Sequence, residues 1–231
     1  ECGGDDNQQF ASLDVSNNTL LYKLYCANLG LTSLDVSTNT NLHILEAHDN
    51  SLTSLDVSNN TSLSKLYVGN LGLTSLDVSN NIALNELNVV SNQLTNLDVS
   101  NNTDLTYLRC SANQLTSLDV SNNTALGLLA CDNNQLTTLD LSNNTALASL
   151  HIEENQLIYL NMKNGLTDEL EYFTAKQNSL TCIETLNPDW ATANWTSANN
   201  NIDAGVTFDV ICGAAARTHW YVDTTGSDIT G

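Results

Sequence analysis

Two groups of residues in this sequence have the types and spacing that chemistry requires. One is a row of carboxylates: Asp14, Asp35, Asp56, Asp77, Asp98, Asp119 and Asp140 recur every 21 residues. Brought into register, such a row could hold Ca²⁺, whose ligands are clustered carboxylate and carbonyl oxygens. The other group is scattered. Glu153 and Glu154 lie beside His151, and paired carboxyls can hydrolyse glycosides. His43, His48 and Asp49 could share a metal ion. Neighbours at one exposed strand end, however, are not arranged across a cleft. No dry concave pocket is marked that would shift their pKa values. A solvated acidic turn is therefore expected for the Glu pair, and plain surface contacts for the two His. The sequence has no P-loop, dinucleotide-binding Gly turn, G-x-S-x-G elbow, H-E-x-x-H, EF-hand loop or G-G-x-G-x-D nonapeptide. It is read as non-enzymatic.

The interval of 21 sets the architecture. One unit runs "LTYLRCSANQ" and then "LTSLDVSNNTA", from Leu105 to Ala125. Leu105, Leu108, Cys110, Asn113 and Leu115 form an L-x-x-L-x-C-x-x-N-x-L half, and Leu115, Leu118, Val120 and Asn123 restart it. Alternation around "LRC" and "LDV" is strand-like, with Leu and Cys or Val inward. Short Asn, Ser and Thr stretches supply bends, and neither half is long enough for a useful helix. Each unit is one coil with two short strands, burying its apolar edges on its neighbours. An eighth, degenerate copy places Asn161 where the others have Asp.

These residues resemble leucine-rich repeats, and more narrowly the nested bacterial variety LxxLxCxxNxLxxLDLxxNxx, common in secreted and surface proteins of the Bacteroidetes. The resemblance covers about residues 2–180. It implies an α/β-class leucine-rich repeat solenoid, in practice mostly β: a right-handed coil with two short parallel sheets, 21 residues per turn, about eight coils and little or no helix. It also implies a buried ladder of Asn50, Asn92, Asn113, Asn134 and Asn155 bonding turn backbone between coils. Leu29 and Leu71 occupy that column and should interrupt it. Over 181–213 the chain resembles the C-terminal cap of such arrays, with its two Cys and its W-A-T-A-N-W run. Trp190 and Trp195 should cover the last coil, and the resemblance implies a Cys182–Cys212 disulfide. From Trp220 the chain resembles the opening of a right-handed β-helix, so 214–231 is expected to be a linker and the start of another domain. At the front, Cys2 should sit in the inward column. The array is expected to lack its natural N-terminal beginning, and the chain to be a mature piece of a larger multidomain protein. Cys26, Cys110 and Cys131 share the inward column with Ala47, Val68, Val89 and Ile152, which fits small apolar filler. Cys110 and Cys131 stack on adjacent coils, where parallel side chains disfavour a bond, so free thiols are expected.

The coil divides its outward residues into two faces. The "LDVS" face barely varies: Ser or Thr, then Asp, then Ser. Adjacent Asp about 4.8 Å apart would repel by about 0.9 kcal/mol even in bulk water. Hydrogen bonds from the flanking Ser and Asn are the expected relief. A calcium ladder along Asp35, Asp56, Asp77, Asp98 and Asp119, or an ice-like ordering of water, are alternatives. The other face varies freely and carries Tyr22, Lys23, Tyr25, His43, Glu46, His48, Lys65, Tyr67, Tyr107, Arg109 and His151. It holds three of the six basic residues, four of the seven Tyr and three of the four His. Tyr and Arg are anchors of recognition surfaces, so this face is the expected ligand site.

A net charge of −20 argues against nucleic acid and anionic membranes as partners, and no apolar run is long enough to span a bilayer. The expectation is a non-catalytic binding module, secreted or at the cell surface, for a protein or carbohydrate ligand, with no cofactor beyond that Ca²⁺. The alternatives are a structural stalk or a targeting module that displays the following domain.

Overall fold

The structure, a computed structural model, describes residues 10–213. The places expected for Cys2 and for the linker and β-helix start over 214–231 lie outside these residues. Between them the chain winds as a solenoid. Eight three-residue strands form one parallel sheet: Lys23–Tyr25, Ile44–Glu46, Lys65–Tyr67, Glu86–Asn88, Tyr107–Arg109, Leu128–Ala130, Ser149–His151 and Tyr172–Thr174. Leu24 pairs with Leu45, Leu45 with Leu66, Leu66 with Leu87 and Leu87 with Leu108, so residues 21 apart are lateral neighbours. The central residue of each strand is buried and the first faces outward, as the two-residue period of a strand requires.

The second face is less regular than expected. Ser12–Leu13 pairs with Ser33–Leu34, and Thr138–Asp140, Tyr159–Met162, Cys182–Thr185 and Thr207–Asp209 form a four-stranded sheet. The coils between them, around Asp56, Asp77, Asp98 and Asp119, form no strand there. On that side coil-to-coil bonding passes to asparagine. Asn102 Nδ2 donates to Val78 O at 3.1 Å and to Asn81 O at 2.9 Å, and Asn39, Asn60, Asn81, Asn123 and Asn144 repeat the pattern. All six are fully buried, and their Oδ1 atoms accept nothing.

The expected ladder stands at the end of the first sheet. Asn113 Nδ2 donates to Val89 O and Cys110 O, both at 3.0 Å, and its Oδ1 accepts the Leu94 amide at 3.0 Å. Asn50, Asn92, Asn134 and Asn155 do the same work, and Asn178 extends the row. Leu29 and Leu71 interrupt it, buried without an amide to offer. One residue before this column the chain turns left-handed in every coil: Asn28, Asp49, Asn70, Ser91, Ala112, Asn133, Glu154 and Gln177 have φ of 53–57°. Asn and Asp tolerate that region; Ala112 does so at the expense of local strain.

Inside, columns of Leu fill the coil, with Cys110, Cys131, Val89 and Ile152 closing the inward file. Cys110 and Cys131 are free, and burial pushes the Cys110 thiol up to about 12. At the C-terminal end the coils lengthen: Leu150 pairs with Phe173, 23 residues on, and Cys182 with Thr207, 25 on. A short helix, Pro188–Asn194, begins at Asn187, whose Oδ1 accepts the Trp190 amide. It delivers Trp195 onto Phe173 at 4.3 Å between ring centroids, with Trp190 edge-on at 5.8 Å. Cys182 and Cys212 are joined by a disulfide. Buried Glu184 ties the cap to the preceding coil, accepting from Lys163 Nζ at 2.5 Å and from the Cys212 amide at 3.2 Å.

Two measurements check this packing. Asn102→Ala removes two buried hydrogen bonds, partly offset by loss of the unpartnered Oδ1, and should destabilise by about 2 kcal/mol. Asn122→Ala, removing one exposed bond to Ser100 O, should stay within about 0.5 kcal/mol in the same urea titration. For the thiols, native chain should leave Cys110 and Cys131 unalkylated at pH 8, and unfolding without reductant should expose both while Cys182 and Cys212 stay protected.

Candidate binding face

The outward columns of the eight-stranded sheet hold the side chains selected from the sequence. At its N-terminal end Tyr22 and His43 stack at 4.2 Å, with Lys23 Nζ 5.8 Å from the Tyr22 ring centroid. His43 Nδ1 faces Asn41 O at 2.8 Å. His48 Nδ1 instead meets Asp49 Oδ2 at 2.7 Å, and Asp49 also accepts from Asn70. The two His thus have separate partners. Among the described residues no three His, Cys, Asp or Glu converge to hold a metal ion.

The middle of the face is a charge-alternating lattice. Lys65 Nζ reaches Glu86 Oε1 at 2.5 Å, and the Tyr67 hydroxyl donates to Glu86 Oε2. Burial works against ionising Glu86, but the Lys65 and Tyr67 bonds outweigh it and hold its carboxyl below the usual range. Burial, then the bond to Glu86, pushes the Tyr67 phenol well up, so it is a hydrogen-bond donor at neutral pH. Tyr25 and Glu46 flank this cluster on neighbouring strands. One coil further the exposed Arg109 guanidinium lies 5.4 Å from the Tyr107 ring centroid.

The C-terminal end differs from the sequence expectation. Ser111 Oγ donates to Asp132 Oδ1 at 2.5 Å, and His151 stacks on Tyr172 at 4.2 Å. Glu154 is an exposed turn residue as expected. Glu153 is not: its Oε2 is out of water with no partner, and burial holds its carboxyl above the usual range, Asp132 adding to this. Burial holds the His151 imidazole below its usual value. Tyr172 and Thr174 complete the face but were missed, because the last coil has 23 residues and counting by 21 lands on Leu170. The alternation in "EYFT", apolar Phe173 inward between them, was the available signal.

On the opposite side the seven Asp stand in register and exposed. Each Oδ1 accepts the amide of the Ser two residues on, at 2.9 Å in every coil. For Asp35 and Asp56, the Ser hydroxyl and then the Ser amide lower the carboxyl, against smaller opposition from neighbouring Asp. The repeat therefore carries its own relief of the repulsion. Depressed folded values mean stability that is full above the unfolded carboxylate range and lost as pH falls through the folded one. The melting midpoint should be flat from pH 7 to about 5 and drop below about 4. It should be the same with EDTA and with added Ca²⁺; a midpoint lowered by EDTA would favour the calcium ladder instead.

No protein-family model matches the sequence, and no curated protein does. Solved structures do. The functional domain of InlJ from Listeria monocytogenes, which includes a cysteine ladder, is 29% identical over 76% of this chain and 53% of that one, with a TM-score of 0.51. The leucine-rich effector YopM from Yersinia pestis is 26% identical over 70% and 51%, with a TM-score of 0.56. The leucine-rich repeat protein LIC12759 of Leptospira interrogans is 22% identical over 88% and 54%, with a TM-score of 0.69. This chain spans about half the length of each. Period, strand register and these neighbours agree: the chain folds as a mostly-β leucine-rich repeat solenoid.

Proposed function

We propose that the chain is a protein-recognition module without catalysis of its own, acting in a secreted or cell-surface protein. One observation carries this reading. From Ser12 to His151 the Tyr, Lys, Arg and His side chains gather on the outward side of a single continuous sheet, while the opposite face repeats Ser and Asp. The anchors are Tyr22, Tyr25, Tyr67, Tyr107 and Arg109, pre-set by stacking and by the Lys65–Glu86 pair. A rigid aromatic with one polar tip loses little entropy on binding, and mixed charges reward a complementary protein surface. The likeness to InlJ and to YopM, a leucine-rich effector protein, supports this reading. The Cys182–Cys212 disulfide supports an oxidising compartment. Among the described residues no helix is long and apolar enough to cross a membrane.

A spacer is the second reading, supported by the unbroken Asn bonding that makes the solenoid a stiff rod. The immobilised chain, probed with protein and glycan arrays, separates the two. Binding predicts protein hits that weaken by about a hundredfold or more in Tyr25→Ala/Tyr67→Ala/Arg109→Ala, with the melting midpoint within about 3 °C. Hits only among glycans would change the ligand class. No hit, or hits indifferent to the triple variant, would favour the spacer.

A further inference from the structure

At the C-terminal end of the sheet two polar atoms are out of water and have no hydrogen-bond partner: Glu153 Oε2 and Thr174 Oγ1. Neither belongs to the core. Thr174, only 3% exposed, shares the outward side of its strand with Tyr172, and its register partner is His151. Glu153 lies two residues beyond His151, and Asp132 occupies the same position one coil earlier. Asp132 is already oriented, its oxygens taking Ser111 Oγ at 2.5 Å and Asn133 Nδ2 at 3.1 Å. The His151–Tyr172 stack borders this group, fixed by a 3.1 Å contact between Ser149 Oγ and His151 Nε2.

A buried acceptor left without a donor costs about 1–3 kcal/mol, and more when it is charged. Among the described residues Lys176, one coil beyond Glu153, favours its charged form through space but makes no ion pair with it. His151, held neutral by burial, does not balance the acids. The missing donor must be rich in N–H, cationic and able to lie against a π-face. A guanidinium meets all three conditions: five donors in a planar fork, no acceptor, and a weakly hydrated face that stacks on aromatics. We infer that Asp132, Glu153 and Thr174, bordered by the His151–Tyr172 stack, form a socket for a guanidinium group, taken from an arginine side chain of a basic protein partner. This rests on the sheet being the recognition face and names the chemistry it selects. The net charge of −20 would draw such a partner in, while the socket would fix its register.

The test needs no partner protein. Backbone amide NMR shifts of the intact chain are followed at pH 7 while Nα-acetyl-arginine amide is added, and separately Nα-acetyl-lysine amide. Saturable shifts are expected around Asp132, Glu153 and Thr174, with the arginine probe at least about threefold tighter. Glu153→Gln should abolish saturation, and Asp104→Asn, an exposed turn carboxylate outside these columns, should leave it unchanged. No saturable shift, equal response in Glu153→Gln, or a lysine probe as tight as arginine would overturn the assignment. Such a failure would leave the array result with the triple variant standing. A failure of that experiment alone would leave the socket without a recognition role.

Discussion

A coil of 21 residues cannot satisfy its own backbone. Its edges present amides and carbonyls every turn, and an unpaired buried group costs as much as a lost hydrogen bond. Everything in this solenoid follows from meeting that demand with the next coil at the same place each time. Where three residues run straight, the strand ladder does it. Where the chain bends, asparagine does it, because a primary amide can donate twice and accept while fitting inside a turn. Asn113 and Asn102 are the two versions, one at each end of the coil, bridging to backbone 19 to 24 residues away. Bonds of this kind work only if residues 21 apart are neighbours, so they enforce the register that the Leu columns favour.

Once the register is fixed, the outward residues become rows, and the two kinds of row face different constraints. On the Asp face each carboxylate must be reconciled with another about 4.8 Å away. The same bond from the Ser amide recurs in all seven coils, the Ser hydroxyl adds a second, and variation at Ser37 or Ser79 would cost an Asp that hydroxyl. Exposure there does not mean freedom. On the eight-stranded sheet no such bond repeats from coil to coil, although Asn88 Oδ1 accepts the Val90 amide at 3.1 Å, so Lys, Glu, Tyr, Arg and His can be placed one by one. Neighbours along a row then set each other: Lys65 orders Glu86, Glu86 orders Tyr67, and Tyr107 backs Arg109. A surface assembled this way is pre-organised before any partner arrives, which lowers the entropy lost on binding.

Much of this was legible in the sequence because the period is constant. Asp56, Leu66 and Cys110 each declare a column, and a column declares a direction. The cap was legible through its resemblance to the C-terminal caps of such arrays, carried by the two Cys and the run from Trp190 to Trp195; paired Cys can pin a segment too short to hold itself. The rest depends on what periodicity does not encode. The left-handed turn falls on Ala112 and Glu154 as readily as on Asn133, and it stands before Leu29 and Leu71 as well as before Asn, so the register of the coil and not the local preference dictates it. Asn102 looked like one more polar turn residue, although its burial is complete. Glu153 looked solvated because charge predicts exposure on average, and nothing in the repeat tells that one of its oxygens is shut off from water.

All of this requires coils lying in register one above another. Distances between nitroxide labels on Asp35→Cys and Asp119→Cys, four coils apart, and on Asp35→Cys and Asp140→Cys, five apart, test it most directly, with buried Cys110 and Cys131 silent. Stacking at the spacing of parallel strands predicts single narrow distributions near about 19 Å and about 24 Å, before the length of the labels is added. Broad distributions, or a difference between the two pairs far from one coil's rise of about 5 Å, would contradict it.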